Sequence, residues 1–387
     1  MKERASAPML TPDPLGRWKT SDLEGGSDVV YLGVDLHRKV SHVVALDESG
    51  EVLLSRRFGN DPAEFRRVFG ELEPAPIEVV FEATYGWGWF ADLLADAGIP
   101  AHMTHPLATK AISAGRVKND AVDARTLAHL LRTNLLPEAW IAPPEVRAAR
   151  RLVRMRTSLM RIRSRLKCQV HAICADLGVP IPVSDLFGAR GRELLTTLAL
   201  PVVTAGRLEA NLRLIDTLTA EIRLADREIV RHFRADPRIR RLTPIPGIGF
   251  LTAAMIVAEV GDVGRFETPE RLCSWAGLTP TERSSADHVQ RGHISKQGTR
   301  WLRWVLVEAA VTASRGPSLA GFFGPIRERR GTKIARVALA RRLLTLAFYA
   351  LRDEAGCRAY PILPRPSRST RARSPYGMAS SDGRDVD

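Results

Sequence analysis

The apolar run Tyr31-Leu32-Gly33-Val34-Asp35 ends in a carboxylate. It is the first element of the fold that we predict for the first third of the chain. Short apolar runs bounded by turn residues predict buried β-strands. Further runs near 41–46 and 51–55 follow after turn residues, so we predict a three-strand meander. A buried strand at 77–81, a helix at 89–97 and a short strand at 100–104 extend this to an α/β domain.

Four carboxylates of this domain share a pattern. Asp35 and Glu82 end two predicted strands, and Asp120 and Asp123 lie three residues apart near the start of a predicted helix, so their side chains lie on one helix face. Taken singly, each acid is more readily explained as a turn or helix cap. Together they favour a metal site, because converging carboxylates are costly unless cations such as Mg²⁺ neutralise them.

Other metal-binding residue types form weaker patterns. His37 and His42 lie close to Asp35 in sequence, but surface or strand packing explains them better than a ligand role. The cysteines form no CxxC pair, which argues against a zinc site and a disulfide framework. We expect them to be reduced, mostly structural thiols: Cys168, Cys174, Cys273 and Cys357.

Length and charge indicate a multidomain protein with a polyanionic partner. The chain has 387 residues, a formal net charge of +14 and a pI near 10.3, which favours nucleic acid. From Arg147 to Lys167 there are nine basic residues and no acidic one, so this stretch is a candidate nucleic-acid face. Its candidate contact residues are Arg147, Arg150, Arg151, Arg154 and Arg161. No apolar run reaches the roughly 18 residues of a membrane span and the N-terminus is not signal-like, so we expect a cytoplasmic protein.

Composition and periodicity divide the chain into five segments. We predict long basic helices, interrupted near 178–182 and 201, that form a coiled coil and assemble subunits. The predicted order is a flexible leader over 1–28, the α/β domain over 29–144, the long helices over 145–236, a mostly helical domain over 237–352 and a disordered basic tail over 353–387.

The helical C-terminal domain contains three short motifs. Pro246-Gly247-Ile248-Gly249 before an apolar helix at 250–260 resembles a helix-hairpin-helix turn, in which the N–H groups of Gly247 and Gly249 hold a phosphate; a simple tight turn explains it nearly as well. Further along lie AGLTP at 276–280 and ISKQG at 294–298, with Ser284 and Ser285 between them in a polar segment that we interpret as a loop. By spacing alone, serines in such a loop are turn or cap residues.

The order of these motifs resembles the insertion-sequence-110 family of transposases, also called DEDD transposases and bridge-RNA-guided recombinases. The resemblance covers roughly Tyr31 to Leu351 and rests on GVDLH with Asp35, on Glu82, on KNDAVDA at 118–124, on PGIG and on AGLTP, SSA and ISKQG. It implies an RNase H-like (RuvC-like) domain that binds Mg²⁺ through the four carboxylates, and a C-terminal transposase domain with a nucleophilic serine. Ser285 is the aligned serine and Ser284 the alternative, since Ala286 replaces the glycine usual in relatives.

The resemblance also implies a mechanism and partners. The serine attacks a DNA phosphodiester and forms a phosphoserine link that a strand of the second DNA later resolves, with no nucleotide cofactor. Donor and target DNA are bound by a homo-oligomer, a dimer to tetramer whose active site combines two subunits, guided by a structured non-coding bridge RNA. The implied location is the nucleoid of a bacterial cell. Lys296, Arg300 and Arg303 are candidates for phosphate contact, and a solvated helix face explains each of them equally well.

Two other functions fit parts of the pattern. A RuvC-like Holliday-junction endonuclease would use the carboxylates alone, by metal-dependent hydrolysis, and would leave no protein linked to DNA. A non-catalytic nucleic-acid-binding protein would bind without the carboxylates or metal. The complete set of four acids argues against the second alternative.

Overall fold

The computed structural model of the chain describes residues 29–106, 109, 112, 119–285 and 288–353. It divides into two compact units, the first running to His232 with Ala258–Glu267 added, the second comprising Phe233–Val257 and the residues from Thr268 onward. The expected leader over 1–28 and all of the expected tail except Asp353 lie outside the described residues.

A mixed sheet forms the centre of the first unit. Its strands are β1 (Val30–Leu36), β2 (Val40–Leu46), β3 (Val52–Gly59), β4 (Ile77–Glu82), β5 (Ala101–Thr104) and β6 (Glu138–Ala139), in the spatial order β3-β2-β1-β4-β5-β6. The first three strands are antiparallel, β4 and β5 run parallel to β1, and β6 runs antiparallel to β5. The predicted meander and the strands predicted at 77–81 and 100–104 are therefore confirmed.

Helices cover both faces of this sheet. On one face the aromatic side chains of α1 (Pro62–Leu72) and α2 (Gly88–Asp96) pack on β1, β2 and β4. On the other face, Ala124, Leu127 and Ala128 of α3 (Asp120–Arg132) pack on the same strands. Helix α1 lies outside the predicted elements; its first turn begins at Asp61, whose side chain accepts a hydrogen bond from Ala63 N at 2.9 Å.

Gly33 allows α3 to approach β1. A Cβ atom at this position would lie 1.9 Å from Ala124 O and 2.8 Å from Ala128 N, both backbone atoms of α3. Because backbone cannot move aside as a flexible side chain does, only glycine permits this packing. The α3 N-terminus, which carries Asp120 and Asp123, is thereby held over the strand that carries Asp35.

Gly33→Ala is expected to lower the free energy of unfolding by about 3 kcal/mol, because the added methyl group forces α3 away from β1. The matched control is Gly70→Ala in α1, where the new Cβ meets nothing within 4 Å. This control is expected to be neutral or to stabilise by roughly 0.5 to 1 kcal/mol, as alanine does in a helix interior. Urea unfolding of both variants measures the difference, and equal stabilities would contradict the packing argument.

The long helices of the first unit form an antiparallel pair. They are α4 (Pro144–Asp176) and α6 (Val202–Phe233), and the short α5 (Ala189–Thr196) lies between them in the sequence. Arg156 of α4 binds Asp226 of α6, and Arg163 further along α4 donates to Thr219 at 3.3 Å, so the two helices run in opposite directions. The predicted interruptions near 178–182 and 201 are confirmed. The assembly of subunits through these helices stays a prediction.

The second unit is mostly helical, as predicted, but it also contains a β-hairpin. Its elements are α7 (Pro237–Leu242), α8 (Phe250–Val260, whose last residues belong to the first unit), α9 (Pro269–Trp275), β7 (Pro280–Ser285), β8 (His288–Ile294), α10 (Arg300–Ala313), α11 (Ala320–Arg330) and α12 (Thr332–Arg352). Helix α12 is the centre of the unit, since ten of its side chains are buried. Within the described residues, no helix combines the length and apolar character needed to cross a membrane.

The PGIG turn lies directly before α8. Gly247 has a φ of +83°, and a Cβ there would lie 2.3 Å from Ala309 O of α10. Glycine at this position is therefore needed for packing inside the unit. Gly249 is exposed, and a Cβ added to it would meet nothing within 4 Å. A phosphate-binding role for this turn stays a prediction.

Candidate active site

Asp35, His37 and Asp120 meet at the end of β1. Asp35 is 8% exposed and faces the layer of α3, because side chains alternate along a strand and Gly33 lies against this helix. The His37 Nε2 atom lies 3.0 Å from Asp35 Oδ2 and 3.5 Å from Asp120 Oδ1. One ligand atom from each residue lies within 4.8 Å of the other two, so the three groups can share one metal ion.

Asp120 does not cap its helix. The cap is Asn119, whose side chain accepts hydrogen bonds from Ala121 N at 2.7 Å and Val122 N at 3.3 Å. The explanation of Asp120 as a helix cap therefore fails, and its carboxylate is available to the cluster. The positive partial charge of the helix N-terminus reduces the repulsion between the acids gathered there.

The electrostatics of the cluster favour a cation. Burial raises the pKa of Asp35, and the carboxylates of Asp120 and Asp123 raise it further, while the neighbouring His37 lowers it. Asp123 is thus close enough to Asp35 to interact with its charge. Neighbouring carboxylates repel one another when they are ionised, and a bound divalent cation offsets this repulsion. These residues therefore fit a metal ion.

Glu82 ends the strand beside Asp35. The register pairs Gly33 with Val80 and Val34 with Phe81, so Asp35 and Glu82 are the next residues on the two parallel strands. Strand alternation places Glu82 on the same face as Val80, which packs on α3. Just beyond it, Thr84 Oγ1 donates to Leu36 O at 3.0 Å and fastens the two strand ends together.

His37 is the residue of this site that the sequence patterns did not single out, since packing explained it better than a ligand role. The structure brings its ring to Asp35 and Asp120 because the chain turns immediately after β1. Its position two residues after the strand-end aspartate was the only signal in the sequence. The His42 Nε2 atom, in contrast, lies 3.1 Å from Ser55 Oγ, which fits the packing role expected of His42.

Ser284 and Ser285 lie in a strand, so the interpretation of this segment as a loop is wrong. They are the last two residues of β7, with Ser284 paired to Val289 and Ser285 to His288 of β8. Cross-strand backbone pairing satisfies the N–H and C=O groups that a loop would leave to water, which explains the difference. Ala286, expected to alter the backbone beside Ser285, lies outside the described residues.

The AGLTP and ISKQG motifs form the base of this hairpin. Ser295 N donates to Thr279 O at 2.9 Å, and Lys296 N donates to Gly277 O at 3.3 Å. A Cβ at Gly277 would lie 2.2 Å from Gln297 O, so the two segments are in direct backbone contact. The motifs on either side of the serines therefore hold the two ends of one hairpin together.

The basic residues near the hairpin differ in their surroundings. Arg303 donates from Nη1 to Ala276 O at 2.9 Å, and burial lowers the pKa of its guanidinium. Arg303 thus supports the hairpin base, and its expected phosphate contact stays a prediction. Lys296 and Arg300 are exposed, and the Arg300 guanidinium lies 5.0 Å from the centre of the Trp301 ring.

Most of the expected nucleic-acid residues on α4 have partners inside the first unit. Arg147 donates to Gly88 O at 2.9 Å and binds Asp92. Arg150 donates to Ala258 O at 3.0 Å and Glu259 O at 2.8 Å. Arg154 binds both carboxylate oxygens of Glu259, at 2.6 and 2.8 Å.

These contacts give part of the basic stretch a structural role. Acids distant in sequence pair with three of the nine cations, so they offset part of the positive charge of this stretch. Arg147, Arg150 and Arg154 therefore have a structural role, and their contact with nucleic acid stays a prediction. Arg151 and Arg161 are exposed on the same helix and keep the proposed role.

Arg154→Gln is expected to destabilise the protein by about 2 to 3 kcal/mol, because it removes the bidentate partner of Glu259, whose side chain is fully buried. The matched control, Arg151→Gln, changes an exposed residue of the same helix and is expected to leave stability within about 0.5 kcal/mol. Arg151→Gln should instead reduce the slope of DNA affinity against salt by about one ion. Urea unfolding measures stability, and DNA binding at several salt concentrations measures the slope. A loss of stability in Arg151→Gln with none in Arg154→Gln would contradict this interpretation.

Comparison with known protein families gives two matches. Residues 32–177 match the DEDD family of IS110 elements, described as "Transposase", and residues 239–322 match the "Transposase IS116/IS110/IS902 family". The first match contains all four carboxylates and the second contains both serines.

Individual relatives extend the likeness over most of the chain. A Pseudomonas aeruginosa protein named "Probable family 20 transposase" is 27% identical, over 80% of this chain and 93% of the relative. The "Transposase for insertion sequence element IS1111A" of Coxiella burnetii is 26% identical, over 81% of this chain and 87% of the relative. The "Pilin gene-inverting protein" of Moraxella bovis is 31% identical, over 30% of this chain and 37% of the relative.

Proposed function

The chain belongs to the IS110 family of transposases, enzymes of insertion sequences, and from this premise we propose that it cuts and exchanges DNA strands through Ser285 and a Mg²⁺ site of four carboxylates. The observation that carries the proposal is the convergence of Asp35 and Asp120, with Asp123 within electrostatic reach. Glu82 completes the set from the neighbouring strand end. This arrangement supports catalysis over non-catalytic binding, because gathered acids repel the phosphates of DNA unless a cation is bound.

We infer that the first unit contains an RNase H-like domain over 29–144. An antiparallel meander continued by two parallel strands supports this inference, as do a carboxylate at the end of the central β1 and another at the end of β4. The helical residues 145–236 would follow as an assembly segment, and 237–352 as the serine transposase domain. When bound, Mg²⁺ would neutralise charge on the scissile phosphate.

The proposed reaction is phosphoryl transfer. The Ser285 Oγ attacks phosphorus, a new P–O bond to serine forms, and the bond from phosphorus to the departing sugar oxygen breaks. The serine proton ends on that oxygen, so a free hydroxyl end is released. In the second half, a hydroxyl end of the other DNA attacks the phosphoserine and restores the serine hydroxyl. No redox or nucleotide cofactor is needed.

Nucleic-acid contacts are proposed for residues that remain exposed. Arg151 and Arg161 on α4, with Lys296 and Arg300 beside the hairpin, would contact phosphates of DNA or of a bridge RNA. As the family resemblance implies, a homo-oligomer, a dimer to tetramer, would combine the carboxylates of one subunit with the serine of another on donor and target DNA.

The test uses the full chain purified with its bound nucleic acid. Sequencing the RNA that copurifies identifies the guide and predicts donor and target sites, which are then supplied as end-labelled DNA with Mg²⁺. We expect a protein–DNA adduct that survives denaturing electrophoresis. Cleaved DNA without any adduct would instead support the metal-dependent hydrolysis of a Holliday-junction endonuclease.

A further inference from the structure

We propose that His37 is a direct ligand of the metal at the Asp35 and Asp120 cluster, and that it shifts the preference of this site from Mg²⁺ toward Mn²⁺. The inference rests on the proposed function, because it takes this cluster as the metal site. It adds a nitrogen ligand to a site otherwise described by its four carboxylates.

The distances fit ligands of one ion. In octahedral coordination with bonds of about 2.1 Å, neighbouring ligand atoms lie about 3.0 Å apart and opposite ones about 4.2 Å apart. The His37 Nε2 atom lies 3.0 Å from an Asp35 oxygen and 3.5 Å from an Asp120 oxygen. Both separations are close to those of neighbouring ligands, so one cation can replace the His37–Asp35 hydrogen bond after small side-chain movements.

The backbone holds His37 in place for this role. Its N–H donates to Val40 O at 3.1 Å, and its carbonyl accepts from Asn60 Nδ2 at 2.6 Å. Asn60 is itself held, since its Oδ1 accepts from the buried Ser41 hydroxyl at 2.7 Å. The backbone of His37 is therefore fixed, so less entropy is lost when its ring binds a metal.

The cluster is open on one side. The Asp35 side chain is 11% exposed, whereas those of His37 and Asp120 are 52% and 46% exposed. A cation bound between them would keep positions for water or for a phosphate oxygen on the exposed side. Such open positions distinguish a catalytic metal site from a closed structural one.

Ligand chemistry determines which metal ion binds more tightly when His37 is a ligand. Mg²⁺ prefers oxygen ligands and keeps several waters, whereas imidazole nitrogen suits transition metals. Mn²⁺ accepts carboxylates as Mg²⁺ does, yet it also binds imidazole. Removing the ring is therefore expected to weaken Mn²⁺ binding more than Mg²⁺ binding.

The experiment compares full-length wild-type protein with His37→Ala and with the control His42→Ala, whose ring bonds Ser55 on the same sheet. Titration calorimetry with MnCl₂ and MgCl₂ gives the two affinities, and electron spin echo of bound Mn²⁺ detects coupling to imidazole nitrogen. We expect His37→Ala to lose this coupling and to bind Mn²⁺ about tenfold or more weakly, with Mg²⁺ affinity changed by less than about threefold. His42→Ala should match the wild type.

A second variant keeps the proposal testable if His37→Ala fails to fold. His37→Gln retains a hydrogen-bond donor for Asp35 but has no imidazole, so it should also lose the nitrogen coupling. Retained coupling in the His37 variants, or equal losses of Mn²⁺ and Mg²⁺ affinity, would overturn the ligand role. If the wild type bound neither metal, the metal site of the proposed function would itself fail.

Discussion

Asp35→Asn is expected to lower the rate of DNA strand cleavage by roughly a thousandfold while DNA binding is retained. Asparagine has nearly the same shape as aspartate, so the strand end is preserved. The change removes the negative charge of the most buried carboxylate in the cluster, which would hold the cation at the scissile phosphate. Single-turnover cleavage of labelled DNA measures the loss.

The same substitution is expected to raise the thermal stability of the metal-free protein at neutral pH. Burial and the carboxylates of Asp120 and Asp123 raise the pKa of Asp35, so its ionised form costs folding free energy. The gain should shrink as the pH falls through the raised pKa. It should vanish below the ordinary value of 3.8, where Asp35 is protonated in both folded and unfolded protein.

Asp47→Asn is the matched control in the same domain. Asp47 accepts hydrogen bonds from Ser49 Oγ at 2.7 Å and Gly50 N at 2.8 Å, and these bonds lower its pKa, which is the opposite direction from Asp35. This control should cleave DNA normally and gain no stability. Cleavage by Asp35→Asn at the wild-type rate would contradict the proposed metal site.

Ser285→Ala is expected to abolish the covalent protein–DNA adduct and strand exchange, because no other hydroxyl takes its place at the scissile phosphate. Loss of one hydroxyl should leave folding and DNA binding unchanged. Denaturing electrophoresis of protein incubated with labelled DNA detects the adduct, and gel shift measures binding.

Ser284→Ala is the control for the serine prediction. Consecutive residues of a strand lie on opposite faces, and both serines belong to β7, so we expect only one of them to serve as nucleophile. Ser284→Ala should therefore form the adduct normally. If instead Ser284→Ala loses the adduct and Ser285→Ala keeps it, the assignment moves by one residue. Normal recombination by both variants would contradict the serine mechanism and favour hydrolysis by the carboxylates.

Much of the fold followed from local patterns. The strand ending at Asp35, the meander after it and the helix at 250–260 were predicted because apolar periodicity and turn residues act over a few neighbouring positions. Helix α1 and the β7–β8 hairpin were not predicted. The hairpin is polar along much of its length, so it depends on backbone pairing and on contacts at its base rather than on apolar alternation.

The amino-acid pattern by itself determined which carboxylates end strands and which start a helix, because those positions depend on local periodicity. Tertiary structure decided the rest of the site. His37 reached Asp35 and Asp120 through a turn and a helix placed 83 residues later in the chain. Arg154 gained a structural role because Glu259, 105 residues away, pairs with it. Such pairings depend on how distant segments pack. The local sequence therefore does not predict which charged group will lie beside a given side chain.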